Sequence, residues 1–138
     1  MHTISDLFPN TKVSSAVADY CVAHSTPLPA PVTAHRTASL DFCERENMGS
    51  LSEMMVHTAQ AQFMLFLAKS VRARRILEIG TFTGFTSLCW AEAVKAFPDG
   101  EVVALDVDWK PTGFAQEALG ETGADKVVRM VVGDAAET

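Results

Sequence analysis

The sequence predicts an α/β protein: a short parallel sheet of three strands with its crossover helices, preceded by a helical segment. Three observations carry this. Beyond residue 73, short apolar runs alternate with stretches of helical length, the order that builds right-handed βαβ units. A Gly-bounded loop, Gly80-Thr81-Phe82-Thr83-Gly84, follows the first of those runs directly. Before residue 74 the apolar residues recur at helical spacing instead. The chain therefore divides into an N-terminal helical or lid segment, 1–73, and a sheet-forming segment, 74–138, together one structural unit.

Each element has its own warrant. Val13, Ala16, Val17, Tyr20 and Cys21 form one apolar helical face, which predicts an amphipathic helix over about 12–23. Pro27, Pro29 and Pro31 then favour an extended linker over residues 25–32. A second helix is expected over about 33–47, ended by Gly49 and Ser50. A third is expected over about 52–71, apolar on most faces, with Phe63, Leu65, Phe66 and Leu67 demanding a large packing partner. Residues 75–79 read as the first strand and about 85–96 as its crossover helix. Phe97-Pro98-Asp99-Gly100 is a turn. Residues 101–106 read as the second strand. Pro111 opens a helix to about Thr122, and 126–132 form the third strand.

Composition narrows the function classes. Hydrophobic residues make up 48% of 138, enough for a buried core. The formal charge of −6 argues against nucleic acid, which needs a basic stripe, and against anionic lipid. Cys21, Cys43 and Cys89 are far apart and odd in number, so neither a disulfide framework nor a zinc site is indicated. They fit reduced thiols in a cytoplasmic protein. Met1 to Asp6 lacks a secretory pattern, and the apolar stretch 63–68 is too short to span a bilayer.

Parallel sheets bind ligands at the carboxyl ends of their strands, and three such ends carry polar or Gly-rich features. Glu78 to Gly84 ends the first strand. Gly80 and Gly84 allow a sharp turn and close backbone approach, and the next helix offers backbone N–H groups at its N-terminus. The Glu78 carboxylate disfavours a phosphate there and suits a cationic amine. Asp106 ends the second strand, 22 positions after Gly84, where an acid accepts hydrogen bonds from ribose hydroxyls; Val107 follows it. Gly133-Asp134-Ala135 ends the third, where a carboxylate beside a backbone N–H can read an adenine edge. An amine, a ribose and an adenine, with no phosphate required, outline S-adenosylmethionine.

Residues Arg75 to Thr86, with Asp106 and Gly133-Asp134-Ala135, resemble the cation-dependent class I O-methyltransferases of the caffeoyl-CoA and catechol type. Nearly the whole chain is covered. The resemblance implies a Rossmann-like sheet ordered 3-2-1-4-5-7-6, of which this chain supplies a truncated part, strands 1–3. It implies S-adenosylmethionine contacts from Glu78, Gly80, Thr81, Phe82, Gly84, Asp106, Val107, Asp134 and Ala135. Thr86 stands where the family often has Ser near the cofactor carboxylate. Met54 to Phe63 resembles the segment that covers the cofactor, and by that match Met54 and Val56 touch it. Ala61 stands where the family usually has Gly. The family's metal-binding acids and amide and its catalytic Lys fall in its later half, so no catalytic or metal residue is assigned here. Magnesium is expected only where that half is supplied.

Three readings follow. The first is the cofactor-binding half of an O-methyltransferase for a small catechol or phenolic hydroxyl. The second is a methyltransferase-like subunit without catalysis. The third is a dimer repurposed for another reaction. The family places strand one centrally, so as an edge it is expected to drive homo-oligomerisation or to take a partner completing the sheet. His57 reads as packing, surface or near the lid, and Trp90 as core. Trp109 is divided between packing, surface and adenine stacking. Arg72, Arg74 and Arg75 read as a solvated helix end.

Overall fold

The structure is a computed structural model that describes residues 11–138; the side chains of Thr11 and Trp109 lie outside the description. The expectation for Met1 to Asp6 therefore falls outside the described residues, as does the adenine-stacking reading of Trp109. The chain runs α1 (Thr11–His24), α2 (Ala30–Arg45), a 3-10 helix (Gly49–Met54), α3 (Thr58–Ser70), β1 (Arg75–Ile79), α4 (Phe85–Val94), β2 (Glu101–Asp106), α5 (Trp109–Thr122), a second 3-10 helix (Ala124–Lys126) and β3 (Val128–Val132). No described helix is long and apolar enough to cross a membrane.

The sheet is parallel, in the order β1-β2-β3. Its register aligns Ile76 with Val102 and Val128, and Glu78 with Ala104 and Met130. Both crossovers step the same way across the sheet. Right-handedness therefore puts α4 and α5 on one face, and Val102, Ala104 and Val128 point into the core with Phe85, Leu88, Val94 and Leu119. The opposite face carries Leu77 and Ile79, both mostly exposed. The expected open edge at β1 is thus joined by an open apolar face, because side chains alternate along each strand.

α4 is buried almost all round. The sheet lies beneath it and α2 and α3 pack over it, which suits its sequence Phe-Thr-Ser-Leu-Cys-Trp-Ala-Glu-Ala-Val. Within it burial pushes the Cys89 thiol up to about 12, with Glu78 and Glu92 adding to the shift. Trp90 packs against both apolar clusters, as a core residue should. Ala61 is fully buried in the same core, so its methyl group is accommodated there.

Several expectations need correcting. α2 begins at Ala30, earlier than expected, because Pro31 sits in its first turn, where a missing N–H costs nothing. The single helix expected over 52–71 is broken. A 3-10 helix ends at Met54, an extended step follows, and His57 caps α3 by accepting from the Ala59 N–H (3.2 Å), while Gln60 Oε1 accepts from the His57 N–H (2.9 Å). α5 starts at Trp109 because Asp108 Oδ1 caps it through the Lys110 N–H (3.0 Å). The third strand starts at Val128, since Ala124–Lys126 coils first.

The apolar stripe expected to bury α1 faces outward: Val13, Val17 and Tyr20 are exposed, while Ser14 is buried. α1 instead meets α3, where Gln62 Nε2 donates to the Val22 carbonyl (3.2 Å). α3 buries Ala61, Leu65 and Ala68 and leaves Phe63, Phe66 and Leu67 exposed, so its large partner is met on one side only. Arg72, Arg74 and Arg75 are exposed, as expected of a solvated cluster, and Arg74 makes two surface contacts besides. Arg74 lies over the Phe97 ring and pairs with Asp99 (2.9 Å), which holds the Asp99 carboxyl below its usual range.

Candidate functional site

The loop after β1 is shaped by three left-handed residues, Gly80 (φ 87°), Phe82 (φ 50°) and Gly84 (φ 80°). Gly80 bonds backward, its N–H donating to the Leu105 carbonyl (2.8 Å), so β1 stays paired up to the turn. A Cβ added at Gly80 would meet nothing within 4 Å, whereas one at Gly84 would lie 2.7 Å from Ala115 Cβ. The two glycines thus serve different ends. Gly80 leaves open space above β1, and Gly84 lets α4 approach α5.

Asp106 fixes the loop. Its Oδ2 accepts from the Thr81 N–H (2.8 Å) and the Phe82 N–H (2.6 Å), and its Oδ1 from the Asp108 N–H (3.1 Å). Thr81 adds a hydroxyl bond to the Leu105 carbonyl (3.2 Å). An ionised carboxylate has about four acceptor positions, so Asp106 retains one, on Oδ1. It can take one ribose hydroxyl directly while it holds the turn. The sequence placed this acid at the strand end; its tie to the loop amides depends on β2 lying beside β1.

Glu78 points toward the helices and is only 8% exposed. Its Oε2 accepts from the Ser87 hydroxyl in the first turn of α4. Burial pushes its carboxyl above the usual range, and hydrogen bonds from Ser87, Thr86 and Trp90 oppose that. Thr86 therefore lies beside Glu78 at the N-terminus of α4, which no side chain caps.

The third strand end is tied to the second, since the Gly133 N–H donates to the Asp106 carbonyl (2.8 Å). Asp134 is exposed, and its Oδ1 closes a turn by accepting from the Ala136 N–H (2.9 Å), with Ala135 half-buried between them. Val107 is exposed beside Asp106. Glu78, Gly80, Thr81, Phe82, Gly84, Thr86, Asp106, Val107, Asp134 and Ala135 thus belong to three neighbouring strand ends. Met54 and Val56 lie in the segment between α2 and α3. Met54 is exposed, and Val56 packs against the buried core.

Two residues were not anticipated. Met55 Sδ accepts from the Thr83 hydroxyl (3.5 Å), and His35 Nε2 donates to the Thr83 carbonyl (2.7 Å). Met55 was obscured by the helix expected through it; the His57-x-x-Gln60 capping pattern was the available signal. Nothing in the local sequence marks His35, which sits 48 positions from its partner.

Comparison with known proteins bears on the family and the fold. A family model described as O-methyltransferase matches residues 37–138. An O-methyltransferase, ankF, of Aspergillus thermomutatus is 37% identical over 131 residues, covering 95% of this chain and 52% of that protein. A catechol O-methyltransferase of Mycobacterium tuberculosis is 35% identical over 108 residues, covering 78% of this chain and 46% of that one. Among solved structures, the SAH-bound methyltransferase PaMTH1 of Podospora anserina superposes with a TM-score of 0.80 at 26% identity, over 91% of this chain and 51% of that one. The chain thus spans about half the length of the relatives it matches. With its Gly-bounded loop and strand-end acids on a Rossmann-like parallel sheet, the chain belongs to the class I O-methyltransferase family of the caffeoyl-CoA and catechol type.

Proposed function

We propose that this chain binds S-adenosylmethionine at the three strand ends and acts as the cofactor-binding half of an O-methyltransferase. The acceptor is the hydroxyl of a small phenol or catechol. The open space at Gly80, flanked by the remaining acceptor position of Asp106, is the observation that carries this reading. The parts fit the cofactor by chemistry. A cationic amine suits a carboxylate held in low dielectric, such as Glu78. The uncapped N-terminus of α4, at Thr86, suits the methionine carboxylate. Asp134 and the Ala135 backbone suit the adenine edge, and Met54, Val56 and Val107 offer apolar cover. The SAH-bound Podospora structure and the mycobacterial catechol enzyme support the cofactor and acceptor classes respectively.

S-adenosylmethionine supplies an activated methyl group on a sulfonium. Displacement at that carbon depends mainly on alignment, and this chain's part is to bind and orient. Among the described residues no three His, Cys, Asp or Glu side chains come together as a metal set. A divalent ion such as magnesium thus finds no such set among the described residues. The open edge and outer face of β1 support a second proposal, that a second copy or a partner continues the sheet.

Calorimetric titration of the chain with S-adenosylmethionine tests the first reading. Micromolar binding is expected, with Asp106→Asn at least about tenfold weaker, as for loss of one charged hydrogen bond. Absence of binding by the unmodified chain, or equal affinity in the variant, would refute it.

A further inference from the structure

The ring of His35 is buried and lies outside the cluster of strand-end residues. It lies on α2, in the helical segment, yet reaches the cofactor loop. It is 6% exposed, and its Nε2 is 2.7 Å from the Thr83 carbonyl. A carbonyl only accepts, so the ring is protonated on Nε2. Ser39 Oγ lies 3.4 Å from the same nitrogen. Burial holds the imidazole below its usual range, against the Thr83 bond and the charge of Glu121, so the neutral donor form is favoured.

The ring is held from behind. Its plane stacks on Phe114 of α5 (centroids 5.3 Å), which stacks in turn on Phe42 of α2 (4.5 Å). Lys110 bridges to Glu46 at 2.7 Å and ties the start of α5 to the end of α2. The loop needs such support. Phe82 has φ 50°, a left-handed conformation that is unfavourable for a non-glycine residue and persists only where its surroundings impose it. Asp106 grips the amides of Thr81 and Phe82 from the sheet side. Thr83, fully buried, is gripped by His35 of α2 and by Met55.

We propose that His35 is a positioning residue for the cofactor loop: by donating to the Thr83 carbonyl it holds Gly80 to Gly84 in the binding conformation and makes α2 a working part of the site. The role rests on the proposed S-adenosylmethionine site, but the loop geometry it controls is measurable without ligand. His35→Phe keeps an aromatic ring against Phe114 and removes the donor. His35→Gln keeps an N–H where Nε2 stood.

Hydrogen exchange of the full chain without ligand, read on peptides covering 80–84 and 101–106, decides the inference. His35→Phe should raise exchange in 80–84 about tenfold and leave 101–106 unchanged, and His35→Gln should restore most of the protection. Where S-adenosylmethionine is titrated, His35→Phe should weaken it about tenfold and His35→Gln by no more than about threefold. Equal exchange in all three proteins would overturn the inference. So would a rise spread evenly over both peptides, which would mark His35 as ordinary core. Failure of the unmodified chain to bind S-adenosylmethionine would count against the proposed function alone, because the exchange comparison does not depend on it.

Discussion

Gly80 and Gly84 are both left-handed and both in the loop, yet alanine should act on them differently. At Gly84 the new methyl carbon would lie 2.7 Å from Ala115 Cβ and 3.3 Å from Ala115 Cα. The second contact is to the backbone of α5, so a side-chain rotation cannot relieve it. Left-handed backbone costs alanine about 1–2 kcal/mol, and overpacking adds about 1–3 kcal/mol. Gly84→Ala should therefore lose about 2–5 kcal/mol, a large share of the roughly 5–15 kcal/mol a domain has. For 138 residues that is a fall in Tm of about 6–15 °C, at about 3 °C per kcal/mol. At Gly80 the methyl meets nothing, so Gly80→Ala should lose only the backbone part, about 3–6 °C. It should nevertheless weaken S-adenosylmethionine at least about tenfold, because the methyl occupies space proposed for the ligand. Thermal melts and calorimetric titration separate the two effects. Ala115→Gly alone costs about 1 kcal/mol inside α5, but it removes the 2.7 Å contact, so the double variant should lose less than the two single losses added together. If Gly84→Ala melts no lower than Gly80→Ala, or if the losses of Gly84→Ala and Ala115→Gly simply add, the packing argument is wrong.

Two further outcomes are expected. Burial raises the Glu78 carboxyl above its ordinary value of 4.5. In the window above that value the folded chain holds a proton the unfolded chain has lost. The contribution of Glu78 to stability is therefore full below the unfolded value and lost as pH rises through the folded one. Urea midpoints from pH 4 upward should fall more steeply for the unmodified chain than for Glu78→Gln, and parallel profiles would contradict the burial argument. Sedimentation at micromolar concentration should show association, which the pair Leu77→Lys and Ile79→Lys on the open face of β1 should reduce. A clean monomer before substitution would sink the proposal of a continued sheet.

The strand and loop boundaries nearest the site were the most legible part of the sequence. β1 and β2 fall on 75–79 and 101–106 as expected, because their signals are local: apolar runs closed by Gly, by a turn, or by an acid. The helical segment was less legible. The extended step before His57 is set by a cap and a 3-10 turn inside a stretch whose composition reads as continuous helix. Tyr20, Phe63 and Phe66 look like core by type, yet lie outside the packed faces, because which stripe of an apolar helix is buried depends on the neighbours it meets.

The sequence by itself determined the parallel α/β order, the Gly-bounded loop and the acids at the strand ends. Local spacing and turn chemistry carry all three. Only the tertiary structure decided what those groups do to one another. It turned Asp106 onto the amides of Thr81 and Phe82, sank Glu78 beneath α4, and brought His35 across 48 positions to the Thr83 carbonyl. Such pairings join residues from separate elements, so packing of the sheet and helices brings them together where sequence spacing does not.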